Sequence, residues 1–249
     1  MEQLGYIVGA DARDKILHAY FNTWKFKHPN PNDFIRIAEK ISGLELDWYK
    51  EYWIYSTKTI DYAVGDIAMV DNKTSITIKR IGKMPMPIDV LVTYKDGTQE
   101  MHYMPLNLMY GAKPLETKTP TTVHAPWKWT HPDYSFTTSR AVGEIKSIEI
   151  DPSQRLADIN NHNNSKRGNI EWKFDSRIPL FPSTKKYRIW LRPDLWYNAY
   201  DGVKIGLFAR GNYMNVKNVF SLNLWLNTHL GQGGNYSYTK AEKKKAEDR

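Results

Sequence analysis

The spacing of the hydrophobic residues changes once along this chain, near residue 60. Up to that point apolar residues recur every three to four positions, as in residues 34–41. Beyond it they mostly alternate with polar residues, as in residues 88–92. A period near 3.6 indicates amphipathic helices, and a period of two indicates half-buried strands. We therefore predict an α+β chain, with a short N-terminal helical segment followed by antiparallel strands.

Three helices are predicted in residues 1–60. The first covers the apolar stripe 16–24, with Asp11 as its capping residue. The second begins in Asn30-Pro31-Asn32-Asp33, which offers capping side chains and a proline for the first turn, and Gly43 is a natural stop. The third begins at Asp47. These helices form the first predicted part of the chain.

Residues 61–159 are predicted to form an antiparallel β-sandwich-like domain. Short strands alternate there with turn signals, among them Lys95-Asp96-Gly97-Thr98, where Asp-Gly suits the positive φ of a tight primed turn. A closing strand carries Ile148 and Ile150 and is stopped by Asp151-Pro152. Residues 160–168 are rich in Asn, Ser and charged residues, and we predict a linker.

Residues 169–238 are predicted to form a further antiparallel β region, and residues 239–249 a charged tail. The strands at 201–210 and 219–227 are long, with one apolar and one polar face. Such strands are typical of membrane barrels, and they also suit a sheet packed on a core. An antiparallel sheet packed on a core is the favoured interpretation, and a barrel-like region associated with an outer membrane stays open as the alternative.

Composition narrows the classes of partner. The chain has no cysteine, which excludes disulfides and cysteine-bound metals, and its net charge is +8. Part of that charge lies in the tail and the rest is scattered, so no nucleic-acid partner is predicted. No signal peptide and no membrane-length apolar run are visible. If the parent protein is exported, its signal is expected upstream of this chain.

No strong catalytic pattern is present. The chain lacks His-Glu-x-x-His, Gly-x-Ser-x-Gly and phosphate-binding loops, and no two of its seven histidines stand four residues apart. His124 and His131 flank Trp127-Lys128-Trp129 and could approach each other, but we expect structural roles for them. We predict no catalytic, cofactor-binding or metal-binding residue.

Two weaker patterns were weighed. Residues 161–164, Asn-His-Asn-Asn, could bind a hard cation together with Asp158, but a polar linker is the favoured interpretation. Trp127 and Trp129 could form a platform for stacking a sugar, although buried sandwich aromatics are favoured.

One stretch is more specific than any of these motifs. Residues 20–34 contain Tyr-Phe and Lys-His elements ahead of Asp-Phe. Residues 42–53 are similar to a Leu-x-x-Trp-Phe-x-x-Trp element, with Tyr49 and Trp53 in its last two aromatic places. This pattern resembles the helical region downstream of the active site in zinc aminopeptidases related to aminopeptidase N (peptidase family M-one, the gluzincins). Further stretches, at residues 57–64, 84–90 and 148–152, resemble the branch of that family common in Bacteroidetes.

The resemblance implies a periplasmic or cell-surface enzyme that removes N-terminal residues from peptides. In that family zinc is held by His-Glu-x-x-His and a downstream Glu, all upstream of the region resembled here. The chain is therefore expected to be a C-terminal portion that binds no zinc and is inactive alone, with peptide substrate and zinc belonging to the full-length parent. A severed helical part is expected to be marginally stable and to expose Phe21, Trp24, Phe34 and Trp53.

Two other functions remain open. The sandwich could be a stand-alone module that binds a peptide or glycan. The last region could be an outer-membrane-associated β domain.

Overall fold

The computed structural model describes residues 1–70, 73–115, 119–166, 168–176 and 181–231. Within these ranges the chain has four helices and eleven strands in three mostly antiparallel sheets, which confirms the α+β class with a short N-terminal helical part. The chain divides into two compact units, Met1–Asn169 and Ile170–Arg249. The predicted charged tail, residues 239–249, lies outside the described residues.

The four helices all belong to the first unit. They are α1 (Glu2–Val8), α2 (Ala10–Trp24), α3 (Pro31–Ser42) and α4 (Asp47–Trp53).

The predicted signals for α3 and α4 are confirmed, and the one for α2 is wrong. The side chain of Asn30 accepts hydrogen bonds from the amides of Asn32 and Asp33, and Gly43 ends α3 in the left-handed region with φ 71°. Asp11 does not cap α2, because Gly9 at φ 85° leads from α1 directly into α2 and leaves Asp11 within the first turn. Helix α1 was not predicted, since its last five residues are all buried and show no amphipathic stripe.

The helices share one hydrophobic core with the strands of the first unit. One cluster of buried residues contains Leu4, Ile16, Ile35 and Trp48 from the helices and also Ile78, which lies on a strand. The helical part is therefore not a loosely attached remnant.

The aromatic patch expected on the helices is only partly present. Phe21 is 65% exposed, as predicted. Trp24, Phe34 and Trp53 are only partly exposed, which corrects the expectation for them. Phe34 packs edge-on against the ring of Tyr20, and Trp53 lies beside the ring of Tyr49.

Two sheets complete the first unit. The three-stranded sheet has the order β1 (Tyr62–Val70), β2 (Lys73–Arg80), β6 (Asp133–Thr137). The four-stranded sheet has the order β5 (Thr121–Val123), β4 (Gln99–Met104), β3 (Ile88–Tyr94), β7 (Ile145–Ile150), and only its β4–β5 pair is parallel. Buried residues of both sheets belong to the same core.

The hairpin predicted at residues 95–98 is present between β3 and β4, but its turn is of another type. Only Gly97 of the Asp-Gly pair has a positive φ, at 88°, whereas a type I′ turn requires a positive φ at both central residues and a type II′ turn requires it at the first. The carboxylate of Asp96 accepts hydrogen bonds from the backbone and hydroxyl of Thr98, which stabilises the longer loop.

The segment predicted as a linker is hydrogen-bonded to the sheets of the first unit. The carbonyl of Asn163 accepts from the amide of Val64 at 3.0 Å, and the carbonyl of Asn164 accepts from the amide of Ile150 at 2.9 Å. The polar residues of this segment therefore form hydrogen bonds within the first unit, both through their backbone and through their side chains.

The second unit contains a single sheet with the order β11 (Lys217–Asn227), β10 (Gly202–Tyr213), β9 (Lys186–Asn198), β8 (Asn169–Phe174). The pairs β9–β10 and β10–β11 are antiparallel. Gly206 and Gly211 of β10 stand opposite Trp225 and Phe220 of β11. Because a Cβ on Gly206 would lie 2.6 Å from the Trp225 ring, that ring occupies the space of the missing side chain.

Candidate functional site

A group of titratable side chains in the first unit surrounds His102. Strand β4 places Glu100 and His102 two residues apart, hence on the same face. The parallel pairing of β4 with β5 then brings His124 to them, because the His124 amide donates to the carbonyl of Tyr103 at 2.9 Å. His102 Nδ1 and His124 Nε2 are 3.0 Å apart, so one ring nitrogen donates to the other.

Burial determines the charge of this histidine pair. The ring centroid of Phe136 lies 4.5 Å from that of His102, and His102 is 3% exposed. Burial, followed by the neighbouring His124, lowers the pKa of His102 to about 4, against a smaller opposing effect of Glu100. Burial also lowers the pKa of His124. Both rings are therefore neutral at neutral pH.

Glu100 accepts hydrogen bonds from two hydroxyl groups. Burial is the largest single influence and would raise the pKa of Glu100, but the hydrogen bonds from Ser139 and Tyr94 together lower it. The Tyr94 hydroxyl donates to the carboxylate at 2.8 Å. His102 Nε2 lies 3.4 Å from the same carboxylate without the alignment of a hydrogen bond.

The arrangement offers proton sharing between two imidazoles, and it lacks a nucleophile paired with a base. The Ser139 hydroxyl donates to Glu100 and not to an imidazole, so the histidines do not activate it. Among the described residues no group of three His, Cys, Asp or Glu side chains could hold a metal ion. The zinc that the resemblance implies therefore has no fitting site in the described part of this chain.

The histidines singled out in the sequence are not brought together as a pair. His124 meets His102, whereas His131 helps to form a turn: its amide donates to Lys128, and its carbonyl accepts from the Trp127 indole at 3.0 Å. His102 was missed because it stands 22 residues before His124, and only the β4–β5 pairing joins them.

Trp127 and Trp129 do not form a joint stacking platform. Trp127 is 3% exposed and packs against the rings of Tyr62 and Tyr134, as predicted for a core aromatic. Trp129 is exposed, and its amide donates to the side chain of Asn107. A sugar would therefore meet one indole face at most.

The Asn-rich segment 161–164 does approach a second carboxylate, which the sequence did not indicate. Asp158 accepts from the amides of Tyr62 at 3.0 Å and Asn160 at 2.8 Å, while Asp61 accepts from the Asn163 side chain at 2.8 Å. Burial raises the pKa of Asp158 to about 6. Because protein N–H groups occupy these carboxylates, the cluster is a hydrogen-bonded tie between the segment and β1.

The first unit also has an open cavity of about 530 Å³ between β1 and β7. Its lining combines Ile67 and Ile145 with the three lysines Lys95, Lys146 and Lys166. The volume lies within the usual range for ligand pockets, and the lysines favour an anionic guest.

The chain was compared with protein-family models and with curated proteins. No protein-family model matches it, and no curated protein matches it. In the described part of the chain, no helix combines the length and apolar character needed to cross a membrane.

Proposed function

We propose that this chain is the C-terminal, non-catalytic portion of a zinc aminopeptidase that acts in the periplasm or at the cell surface. The catalytic domain of the full-length parent would remove N-terminal residues from peptides, and the first unit would support that domain. The proposal assigns no catalytic residue and no zinc ligand to this chain.

The surface of α2 is the observation that carries the proposal. This helix has 15 residues, and only Ile16 is buried. Phe21 is exposed, and Trp24 and Tyr20 are only partly covered. An amphipathic helix normally buries a stripe about 100° wide, so the partly covered aromatic side of α2, with Phe21 exposed, fits a neighbouring domain.

The sequence elements that carry the resemblance lie next to this surface. Asn30 and Asp33 form the reciprocal cap of α3, and Trp48 and Tyr49 of α4 lie in the core. The resembled residues therefore shape a stable helical layer with one open side. A layer of this kind suits the role of a support beside catalytic helices.

The first experiment measures peptidase activity of the full chain. We expect no hydrolysis of an aminoacyl-coumarin substrate in the presence of zinc. Turnover that a chelator abolishes would refute the proposal that this chain is non-catalytic.

The second experiment concerns the parent. The coding sequence immediately upstream is expected to contain an in-frame His-Glu-x-x-His, and its absence would remove the basis of the proposal. In the joined protein, Phe21→Glu should weaken the contact with the catalytic domain and lower chelator-sensitive activity. Asn22→Glu, on the adjacent exposed position, is the matched control and should leave activity unchanged.

A second candidate is supported by the cavity between β1 and β7. Its three lysines favour a peptide with acidic side chains over a neutral glycan. Titration with an acidic and a basic peptide of equal length, followed by tryptophan fluorescence, distinguishes them. Binding of the acidic peptide that Lys146→Glu abolishes would support a binding module, and two flat titrations would contradict it.

A further inference from the structure

One face of the sheet in the second unit is apolar and largely exposed among the described residues. Residues that pair across β9, β10 and β11 form three successive rows on this face. The rows are Leu195–Ile205–Leu226, Pro193–Leu207–Leu224 and Leu191–Ala209–Leu222. Leu195 is 75% exposed and Leu224 is 53% exposed. We call this surface the apolar sheet face, and by the two-residue alternation of β8 it also includes Ile170, Trp172 and Phe174.

The opposite face of the same sheet is polar and held together by ion pairs. Arg188 donates to Glu171 at 2.9 Å, and Arg192 donates to Asp194 at 2.6 Å. Arg210 donates to Asp175 at 3.1 Å. The charged side chains of the paired strands thus lie on this face, which also carries the aromatic rings of Trp190, Trp196, Phe208 and Trp225.

Tyrosines mark both ends of the apolar sheet face. Tyr187 and Tyr213 lie at one end, and Tyr197 lies at the other, next to the pair Ile205–Leu195. Each hydroxyl donates to a backbone carbonyl at the end of the sheet: Tyr187 to Asn218, Tyr213 to Thr184 and Tyr197 to Gly231. Between these tyrosines the described residues place no charged side chain on this face.

The spacing of the two tyrosine boundaries matches a membrane. Tyr187 and Tyr197 lie on one strand ten residues apart, which corresponds to about 33 Å at ~3.3 Å per residue. With the tilt of roughly 40° that strands adopt in membranes, the apolar band is about 25 Å tall. Aliphatic residues in the middle with aromatic rings at both margins are the profile of a lipid-facing surface.

We propose that the apolar sheet face contacts the hydrocarbon of a lipid bilayer, with Tyr187 at one polar boundary and Tyr197 at the other; Tyr213, which is 2% exposed, closes the first end from inside the unit. A protein partner fits less well, because protein interfaces concentrate aromatic residues at the centre and place polar residues around them. The inference stands independently of the proposed peptidase relationship, since it rests only on the second unit.

One consequence concerns the edges of the sheet. Hydrocarbon offers no hydrogen bonds to backbone groups, so β8 and β11 require pairing partners when the sheet lies in a bilayer. Insertion should therefore order the edge amides as well as cover the apolar sheet face.

Single cysteines provide the first test, because the chain has no native cysteine. Leu224→Cys places a label at the centre of the apolar sheet face, and Asn223→Cys places one on the opposite face of the same strand. Each full-length variant is labelled with an environment-sensitive nitrobenzoxadiazole dye and reconstituted into phosphatidylcholine vesicles. We expect a blue shift and quenching by brominated lipid at position 224 only.

Two outcomes of this test would overturn the proposal. Equal spectra at positions 223 and 224 would show that lipid does not select this face. A blue shift at position 224 in buffer without vesicles, together with a dimer in light scattering, would show that a second copy of the chain covers it.

Partitioning supplies the second test. Leu224→Lys should lower flotation of the full chain with phosphatidylcholine vesicles by about thirtyfold or more, because lysine near the bilayer midplane is strongly disfavoured. Asn223→Lys adds the same charge and should change flotation little. Binding that occurs only on vesicles containing phosphatidylglycerol and disappears in 0.5 M salt, roughly three times the physiological ionic strength, would overturn the proposal, since the charge of +8 alone explains it.

Folding of the charged variants is checked separately by circular dichroism. Leu207→Cys, which lies directly opposite Leu224 on β10, provides a second labelled position that leaves the charge unchanged. Agreement between positions 207 and 224 supports a lipid-facing surface, and disagreement counts against it.

Discussion

Strands of both units alternate apolar with polar residues, but the apolar residues are buried in the first unit and exposed in the second. In the first unit, Ile76 and Ile78 of β2 alternate with polar residues and are fully buried beneath helices and a second sheet. In the second unit, Leu222 and Leu224 of β11 alternate just as regularly and remain exposed. A period of two therefore tells which residues share a face, and the neighbouring elements decide what that face contacts.

The comparison can be tested most strongly with buried and exposed ion pairs. Lys113 pairs with Asp89 in the first unit, and its side chain is 1% exposed, whereas Lys204 pairs with Asp201 at 2.6 Å in the second unit with both side chains over a quarter exposed. Lys113→Met should cost about 3–5 kcal/mol of unfolding free energy, because it leaves Asp89 without its buried partner. Lys204→Met should cost less than about 1 kcal/mol. Urea unfolding followed by hydrogen exchange of each unit measures both.

If the two lysine variants lost similar stability, the contrast in burial between the units would be wrong. A double variant, Lys113→Met with Asp89→Leu, controls for the unpaired charge. It should recover most of the loss, since removal of both charges avoids leaving one buried alone.

Truncation of apolar side chains gives the next largest difference. Ile78→Ala removes a side chain with no exposure and should cost about 2–5 kcal/mol. Leu224→Ala removes an exposed one and should change stability in detergent-free buffer by no more than about 0.5 kcal/mol. Chemical denaturation of the two variants provides the measurement, and a large loss for Leu224→Ala would indicate an unrecognised cover on the second unit.

The buried histidine predicts a pH dependence confined to the first unit. The pKa of His102 falls from 6.5 to about 4 on folding, so the unfolded chain binds a proton that the folded chain excludes. Stability from this group is fully present above about pH 6.5 and is lost as pH falls towards 4, by roughly 2–3 kcal/mol.

The measurement compares wild type with His102→Phe between pH 4 and 7. The opposing group is Asp158, whose pKa of about 6 makes it favour the folded state as pH falls from 6 to about 4. The difference between the two proteins cancels that contribution. A difference that does not change with pH would contradict the role of His102.

The smallest expected effect is local. Asn30→Ala removes the cap of α3 and should cost about 1 kcal/mol, because two amides lose their acceptor. Asn22→Ala, at an exposed position of α2, should change stability by only a few tenths of a kcal/mol. Thermal unfolding of both variants tests the ranking, which places burial above local capping.

Local signals made part of the fold predictable. Asn30 and Gly43 delimit α3, and both act through groups within four residues of themselves. The strands between Tyr62 and Ile150 were equally predictable, because apolar and polar residues alternate along each strand. The α+β class followed from these two features.

Contacts between distant residues were not predictable in the same way. His102 and His124 are brought together by the parallel pairing of β4 with β5, and the register of that pairing cannot be predicted from the residues of either strand. Asp61 meets Asp158 and Asn163 across about a hundred residues of chain. The largely exposed apolar sheet face was also invisible, because exposure depends on what packs against a strand.

The glycines of β10 carry a further consequence for how the second unit assembles. A slip of two residues would keep both faces intact, yet it would set Trp225 against Lys204 or Phe208 in place of Gly206. Gly211 and Phe220 impose the same condition from the other side of the sheet. Because few buried contacts would be lost when a strand of this sheet shifts its register, we expect these two ring-on-glycine contacts to favour the native register during folding.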